Sequence, residues 1–255
     1  MSTLATSFGD SAIMLRRNAK HTLRNPVALF NAVLFPLVMM LMFVYVFGTG
    51  IHTGAVRYID YMLPGILLVT IASGISYTAL RLFTDMKDGI FARFQSMPVA
   101  RSGLLWAHVL TSLVAVAISV GVVVVVALVM GFRSSAGLLA WLGVAGILLL
   151  FSLALTWLAV IPALTAKSVE GATAFAYPLI FLPFVSSAFV STEGMPGPVR
   201  WFAEHQPVTP IVNTIRHLFS GQPFGNELWV ALAWCVTLLV VAYTAAMAVH
   251  RRKIS

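Results

Sequence analysis

Two stretches of the chain hold residue types suited to work other than crossing a membrane. The first is Asp85-Met86-Lys87-Asp88-Gly89-Ile90-Phe91-Ala92-Arg93-Phe94-Gln95-Ser96-Met97-Pro98-Val99-Ala100-Arg101. Ile90, Phe94 and Met97 fall on one helical face with Phe91 beside them, and Asp85, Asp88, Arg93 and Arg101 flank them. A helix of that kind either lays its apolar face into a groove on another protein or rests on lipid headgroups. The residues alone favour neither. The second stretch is 191–227. It holds Met195-Pro196-Gly197-Pro198, Arg200-Trp201-Phe202 and Pro207-Val208-Thr209-Pro210. Apolar residues at 211, 215, 218 and 219 then predict a short amphipathic helix, closed by Ser220-Gly221. It reads as a structured cap or as a partly embedded lid over the exit of a pathway.

No catalytic constellation accompanies them. No Gly-rich loop ends in Lys-Ser or Lys-Thr, so the chain does not cradle ATP in a P-loop. A Gly-Xaa-Ser-Xaa-Gly elbow, a His-Glu zinc motif and a close carboxylate pair are also missing, so no catalytic residue and no metal ligand is assigned. Cys235 is the single cysteine and stands in an apolar run, where it forms no intrachain disulfide. The six histidines are scattered. His108 is the ionisable residue nearest the interior of an apolar run, and it reads as an interfacial histidine with its hydrogen bonds satisfied rather than as a proton relay.

The elements that must position these stretches follow from composition. Only 9% of residues are charged and 60% are hydrophobic. A soluble domain carries roughly 25% charged residues. Six apolar runs are long enough to cross a bilayer: 27–47, 61–80, 104–130, 138–164, 171–190 and 228–249. The β-branched run 122–126 would suit a strand in water, but in lipid an open strand leaves its backbone unpaired, so a helix is expected there too. The expected fold is an all-α polytopic membrane protein, with residues 1–255 forming one transmembrane domain of six spans.

Residues 6–24 form a separate piece. Phe8, Ala12, Leu15, Ala19 and Leu23 recur at helical spacing, with Arg16, Arg17, Lys20 and Arg24 off that stripe. This predicts an amphipathic interfacial helix, broken by Asn25-Pro26 before the first span. The stretch has no uninterrupted apolar core, so no cleavable signal peptide is expected.

Orientation follows from the basic residues. If both termini are cytoplasmic, twelve of the sixteen Lys and Arg flank the inner ends of the spans, and only Arg57, Arg133, Arg200 and Arg216 lie outside. Acidic residues split evenly between the sides, as the positive-inside rule permits. Residues 81–103 then lie inside and 191–227 outside. The basic excess serves topology, and no nucleic-acid partner is expected.

The order of parts resembles the permease subunit of type-2 ABC exporters. The string Lys87-Asp88-Gly89-Ile90-Phe91-Ala92-Arg93-Phe94-Gln95-Ser96-Met97-Pro98-Val99-Ala100-Arg101-Ser102 is similar to the daunorubicin-resistance-type branch. So are Met195-Pro196, Trp201-Phe202-Ala203, Pro207-Val208-Thr209-Pro210 and Arg216-Xaa-Leu218-Phe219-Xaa-Gly221. The resemblance covers nearly the whole chain. Ala92 and Ala100 depart from it, standing where an acidic residue and a serine are common, which bears on docking strength and helix capping.

The resemblance implies a bacterial inner-membrane exporter subunit without catalytic residues or a cofactor of its own. Two copies of a cytoplasmic ATPase subunit would bind ATP and Mg and drive two permease chains, either a homodimer or a pair of paralogues, embedded in membrane lipid. The implied coupling helix that docks the ATPase carries Asp85, Asp88, Phe91, Arg93, Phe94, Met97 and Arg101. The implied extracytoplasmic gate carries Trp201, Pro207, Thr209, Pro210, Arg216 and Phe219. Apolar spans rich in Phe, Met and Trp suit a hydrophobic drug-like or lipid-like cargo. A glycoconjugate exporter shares the architecture. An ion-coupled secondary transporter is disfavoured by the lack of charge within the spans, and a membrane-bound enzyme or scaffold by the missing catalytic cluster.

Overall fold

A computed structural model describes residues 26–48, 57–88, 103–223 and 225–254, with side chains placed between 33 and 252 except at 103 and 104. All secondary structure among the described residues is helical. Helix α1, Pro26–Met42, continues into a π-helical turn, Phe43–Phe47. Next come α2 (Tyr58–Lys87), α3 (Gly103–Val129) and α4 (Leu138–Thr165). A broken segment follows: α5 (Val169–Thr173), α6 (Ala176–Phe181) and the 3₁₀ turn Leu182–Val185. After a second 3₁₀ turn, Thr192–Gly194, come α7 (Gly197–His205), α8 (Val208–Ser220) and α9 (Glu227–Ile254). The expected interfacial helix at 6–24 lies outside the described residues.

Among the described residues, four helices are long and apolar enough to cross a membrane: α2, α3, α4 and α9. The segments Val33–Phe47 and Val169–Val185 are apolar but shorter. The chain is thus a multi-pass membrane protein. Helix α2 is its axis. Its 30 residues span about 45 Å, and it packs against α1, α3, α4, α5, α6 and α8. From Met62 to Ser73 every side chain of α2 is buried. Asp60 in its first turn and Lys87 in its last complement the helix dipole. Helices α3 and α9 lie at the periphery and leave most of their apolar side chains, such as Val125, Val129, Val236 and Val241, on the outer surface. In lipid that exposure is no penalty, because the tails are as apolar as the side chains.

The stretch 171–190, expected as one span, is not one helix. Pro178 has no N–H to donate to the carbonyl of Ala174, and residues 174–175 form a turn between α5 and α6. Pro183 likewise cannot donate to Leu179, and the chain tightens into the 3₁₀ turn.

Without a hydrophobic driving force, helices in lipid associate through close packing of small residues and a few polar ties. Gly65 of α2 lies against Ala188, beyond the broken segment, and Gly74 against Val116 of α3. Trp106, Trp157 and Tyr243 lock α3, α4 and α9 together, with Trp157 edge-on to its neighbours at 5.0 and 4.8 Å. Helix α8 ends on Gly221, whose φ of +66° is left-handed and natural only for glycine.

The polar ties collect at the two ends of the bundle. At one end, here the lid end, stand the start of α2, the α3–α4 turn, residues 186–190, α7, α8 and the start of α9. There Arg57 pairs with Asp60 at 2.9 Å and donates to the Gly131 carbonyl, and Asp60 accepts from the Arg133 N–H at 3.1 Å. At the opposite end, the loop end, stand the end of α2, the start of α3 and α5.

Candidate functional site

Helix α8 forms because one face is apolar. Val208, Ile211, Val212, Ile215 and Phe219 are all buried. Pro207 stands just before the helix and Pro210 in its first turn, where the missing N–H groups would have no intrahelical partner. A polar stripe runs beside the apolar face at positions 206, 209, 213 and 216, and each of these side chains takes a specific partner. Gln206 donates to the carbonyls of Leu182 and Val185, at 3.2 and 2.8 Å, and so holds the 3₁₀ turn. The Thr209 hydroxyl donates to the Ala203 carbonyl and accepts from the Ser187 N–H at 3.3 Å.

Arg216 is the centre of the lid end. Its Nε and Nη2 donate to the Tyr61 carbonyl at 3.2 and 3.1 Å. Nη2 also reaches the Ser187 carbonyl at 2.9 Å, and Nη1 the Asn213 Oδ1 at 2.9 Å. The guanidinium lies 3.8 Å from the centre of the Tyr61 ring, a cation–π contact. The Tyr61 hydroxyl donates to the same Ser187 carbonyl at 3.0 Å. Asn213 accepts from the Ser187 hydroxyl at 2.8 Å and donates to Glu227 at 3.0 Å. Burial pushes the Arg216 pKa down, while Tyr61 and the Glu227 carboxylate pull it the other way. One arginine thus ties together α2, the strap at 186–189 and α8, and through Asn213 it reaches α9.

An aromatic stack adjoins this network. Phe43 of the π turn stacks on Phe189 at 4.7 Å, Phe189 stacks on Phe184 at 4.9 Å, and the Tyr58 hydroxyl donates to the Phe189 carbonyl at 3.2 Å.

Of the six residues expected at a gate, Thr209 and Arg216 enter the network, and Pro207 and Pro210 shape the helix that presents them. Phe219 lies on a different face. It is buried against Phe132 and Trp141, at 5.2 and 4.9 Å, and its carbonyl accepts from Ser134 and Ser135. It anchors α8 to the α3–α4 turn. Trp201 stays outside the network, 64% exposed and stacked on His205. Tyr61, Ser187, Gln206, Asn213 and Glu227 are not singled out by the sequence reading. The spacing of the polar positions 206, 209, 213 and 216 is the signal that would have pointed to two of them, Gln206 and Asn213.

At the loop end, α2 carries Asp85 and Asp88 of the expected docking segment. Asp88 is exposed and caps the helix through its own N–H, which donates to the Thr84 carbonyl at 2.9 Å. Asp85 instead turns toward α3, where its Oδ2 lies 3.2 Å from Nε2 of His108. His108 is 3% exposed and Asp85 28%. Arg81, one turn earlier on α2, lies near the same carboxylate. Helix α5 approaches from the other side, capped by Ser168, whose hydroxyl accepts from the Gly171 N–H at 3.1 Å. The Glu170 carboxyl is held below its usual range by its own backbone N–H, then by the Ser168 hydroxyl, with Lys87 of α2 adding to it. Phe91, Arg93, Phe94, Met97 and Arg101 lie outside the described residues.

The arrangement is one of apolar crossing helices fastened at both ends by polar ties, with a segment of 89–102 leaving from one end. Residues 11–220 match the ABC-2 type transporter family, and the chain belongs to that family. It is a transmembrane permease subunit without catalytic residues, whose ATPase is a separate protein. It is similar to the daunorubicin resistance ABC transporter permease protein DrrB1 of Streptomyces coeruleorubidus, at 29% identity over 235 residues, covering 89% of this chain and 81% of the relative. It is also similar to the probable doxorubicin resistance ABC transporter permease protein DrrC of two Mycobacterium tuberculosis strains, at 26% identity over 236 residues, covering 90% of this chain and 83% of the relative.

Proposed function

We propose that the chain forms the pathway of an ATP-driven exporter for a hydrophobic, drug-like or lipid-like cargo. The observation that carries this reading is where charge is absent. Helix α4 holds no ionisable side chain, and neither do residues 61–80 of α2, 109–129 of α3 or 228–249 of α9, the three tyrosines Tyr61, Tyr77 and Tyr243 and the thiol of Cys235 aside. Carriers driven by protons or ions usually place such a group at membrane depth. Energy must therefore arrive from outside the span region, and the segment 89–102 is the part of the chain suited to receive it. In this reading residues 6–24 lie on the cytoplasmic face and both termini are cytoplasmic. The six apolar stretches cross the inner membrane of a bacterial cell, the fifth as a broken helix, and the lid end faces outward. Two permease chains, identical or paralogous, pair around a twofold axis and receive two copies of the ATPase subunit, which holds ATP and Mg.

Orientation has a direct test. A cysteine placed at Gln95 in a Cys235→Ser background is expected to stay unlabelled by an impermeant thiol reagent in intact cells and to label after permeabilisation. Labelling from outside would invert the topology and remove the reading.

Docking has another. Phe91, Phe94 and Met97 are proposed to fill an apolar groove of the ATPase subunit, with Asp88, Arg93 and Arg101 at the rim. Burying one Phe is worth roughly 1.5–3 kcal/mol, whereas an exposed ion pair contributes about 0–1 kcal/mol. Phe94→Ala is therefore expected to lower capture of the ATPase subunit in a pull-down by about ten-fold or more, and Asp88→Asn to change it less than about five-fold. Full capture and full transport by Phe94→Ala would show that the segment rests on lipid instead.

A further inference from the structure

In sequence, residues 89–102 connect two stems, the last turns of α2 and the first turns of α3, and one pair with a buried histidine joins those stems. Asp85 stands two residues before the end of α2, and His108 lies on the second turn of α3. Their side chains meet at 3.2 Å, with the imidazole almost wholly enclosed. We infer that His108 is a positioning residue for energy coupling: through Asp85 it clamps the two stems, so that a push on 89–102 moves α2 and α3 as one body. This rests on the proposed docking of the ATPase subunit at that segment.

Three observations support a clamp over a mere contact. First, the pair is a polar tie between α2 and α3 at this end, whereas the buried hydroxyls of Thr70, Thr78 and Thr111 are spent on their own helices' carbonyls four residues back. Midway along the pair, α2 and α3 meet through apolar surface, as at Gly74 against Val116, which slides more easily than a hydrogen-bonded pair. Second, the carboxylate is engaged within the chain. Asp85 is set inward between His108 and Arg81, while its neighbours Lys87 and Asp88 are exposed. Third, α2 is the helix through which displacement would travel. The same continuous helix that carries Asp85 at one end presents the Tyr61 carbonyl to Arg216 at the other. Coupling over such a distance requires an element that moves as a unit. Without the clamp, the α2 stem can yield locally and the push is lost before it reaches the lid end.

The test reads the lid end directly and needs no cargo. The permease with Cys235→Ser and Val199→Cys, carrying an environment-sensitive fluorophore on exposed α7, is assembled with its ATPase subunit in nanodiscs. The fluorescence change on adding ATP and Mg is compared with the hydrolysis rate of the same sample. His108→Leu is expected to retain the ATPase subunit and to hydrolyse ATP within about two-fold of the parent, yet to lose about five-fold or more of the lid response, the scale of ordinary coupling between sites. His108→Gln, whose amide nitrogen takes the place of Nε2, should restore most of the response. Asp85→Leu should match His108→Leu, and the double variant should be no worse than either. An undiminished lid response in His108→Leu overturns the clamp. So does an equal loss of binding, melting temperature and response in both His108→Leu and His108→Gln, which would mark a purely structural residue. Phe94→Ala in the same assay judges the docking reading separately: if it keeps both the ATPase subunit and the response, the docking reading fails whatever His108 does.

Discussion

Arg216→Leu is expected to be the most damaging single change at the lid end. The substitution removes four donor contacts at once, to the carbonyls of Tyr61 and Ser187 and to Asn213 Oδ1. Hydrogen bonds from a charged donor are each worth about 1.5–3 kcal/mol, and the lost contact with the Tyr61 ring adds about 0.5–2 kcal/mol. These terms share one side chain and do not add fully, so a loss of roughly 2–4 kcal/mol is expected. Part of the network survives. The Ser187 carbonyl keeps the Tyr61 hydroxyl, and Asn213 keeps Ser187 and Glu227. The chain should therefore still insert, but melt at a clearly lower temperature in detergent and transport poorly. Arg216→Lys should fall between, because an ammonium keeps the charge but cannot reproduce the planar fork that reaches two carbonyls and a side-chain oxygen. A leucine variant with parental melting and transport would show that the network is ornamental.

The second large effect is expected at Gly65. A Cβ built there would sit 2.6 Å from the Cβ of Ala188 and 3.3 Å from Cζ of Phe189, closer than real methyl groups approach. Ala188 is fully buried and has no rotamer through which to escape. Two effects compete in Gly65→Ala. Helix propensity favours alanine by about 1 kcal/mol. Overpacking costs about 1–3 kcal/mol. The clash should win, because yielding means pushing out the strap that carries the Ser187 carbonyl to Arg216 and the Phe189 carbonyl to Tyr58. Gly65→Leu should be worse still. The informative partner is Ala188→Gly. It removes the atom in the way, so Gly65→Ala with Ala188→Gly should regain most of the melting temperature and transport that Gly65→Ala loses. If the two substitutions simply add, the close approach is not what constrains position 65.

Both residues belong to the same device. Gly65 lets the strap lie on α2, and Arg216 bolts it there. Neither is visible as a pair in the sequence, because Gly65 meets a residue more than a hundred positions away and Arg216 reaches back across 155 positions to Tyr61. The gate residues proposed from resemblance divide accordingly. Arg216 and Thr209 have polar work in the network. Phe219 lies on another face of α8, held between Phe132 and Trp141.

What could be read from the chain alone was whatever depends on local chemistry. Helices were forced by apolar runs in a solvent that offers the backbone no partners. Helix α8 was legible from its apolar spacing and its bounding prolines and glycine, although the helix begins at Val208, three residues earlier than the apolar residues suggested. The breaks in 171–190 were written in Pro178 and Pro183, yet apolar length concealed them, since length argues for a span and proline only for its interruption. Folding in three dimensions settled what local chemistry leaves open, namely which polar groups find each other. Asp85 looks like a surface charge of a docking segment and meets His108, because the helices α2 and α3 return side by side and bring residue 108 beside residue 85. Arg216 looks like an outer-face charge and is enclosed by Tyr61, Ser187 and Asn213. The physical reason is the same in both cases. In a bundle without water, a polar group must find a protein partner, and the identity of that partner is set by which helices are neighbours and at what height, which no window of sequence contains.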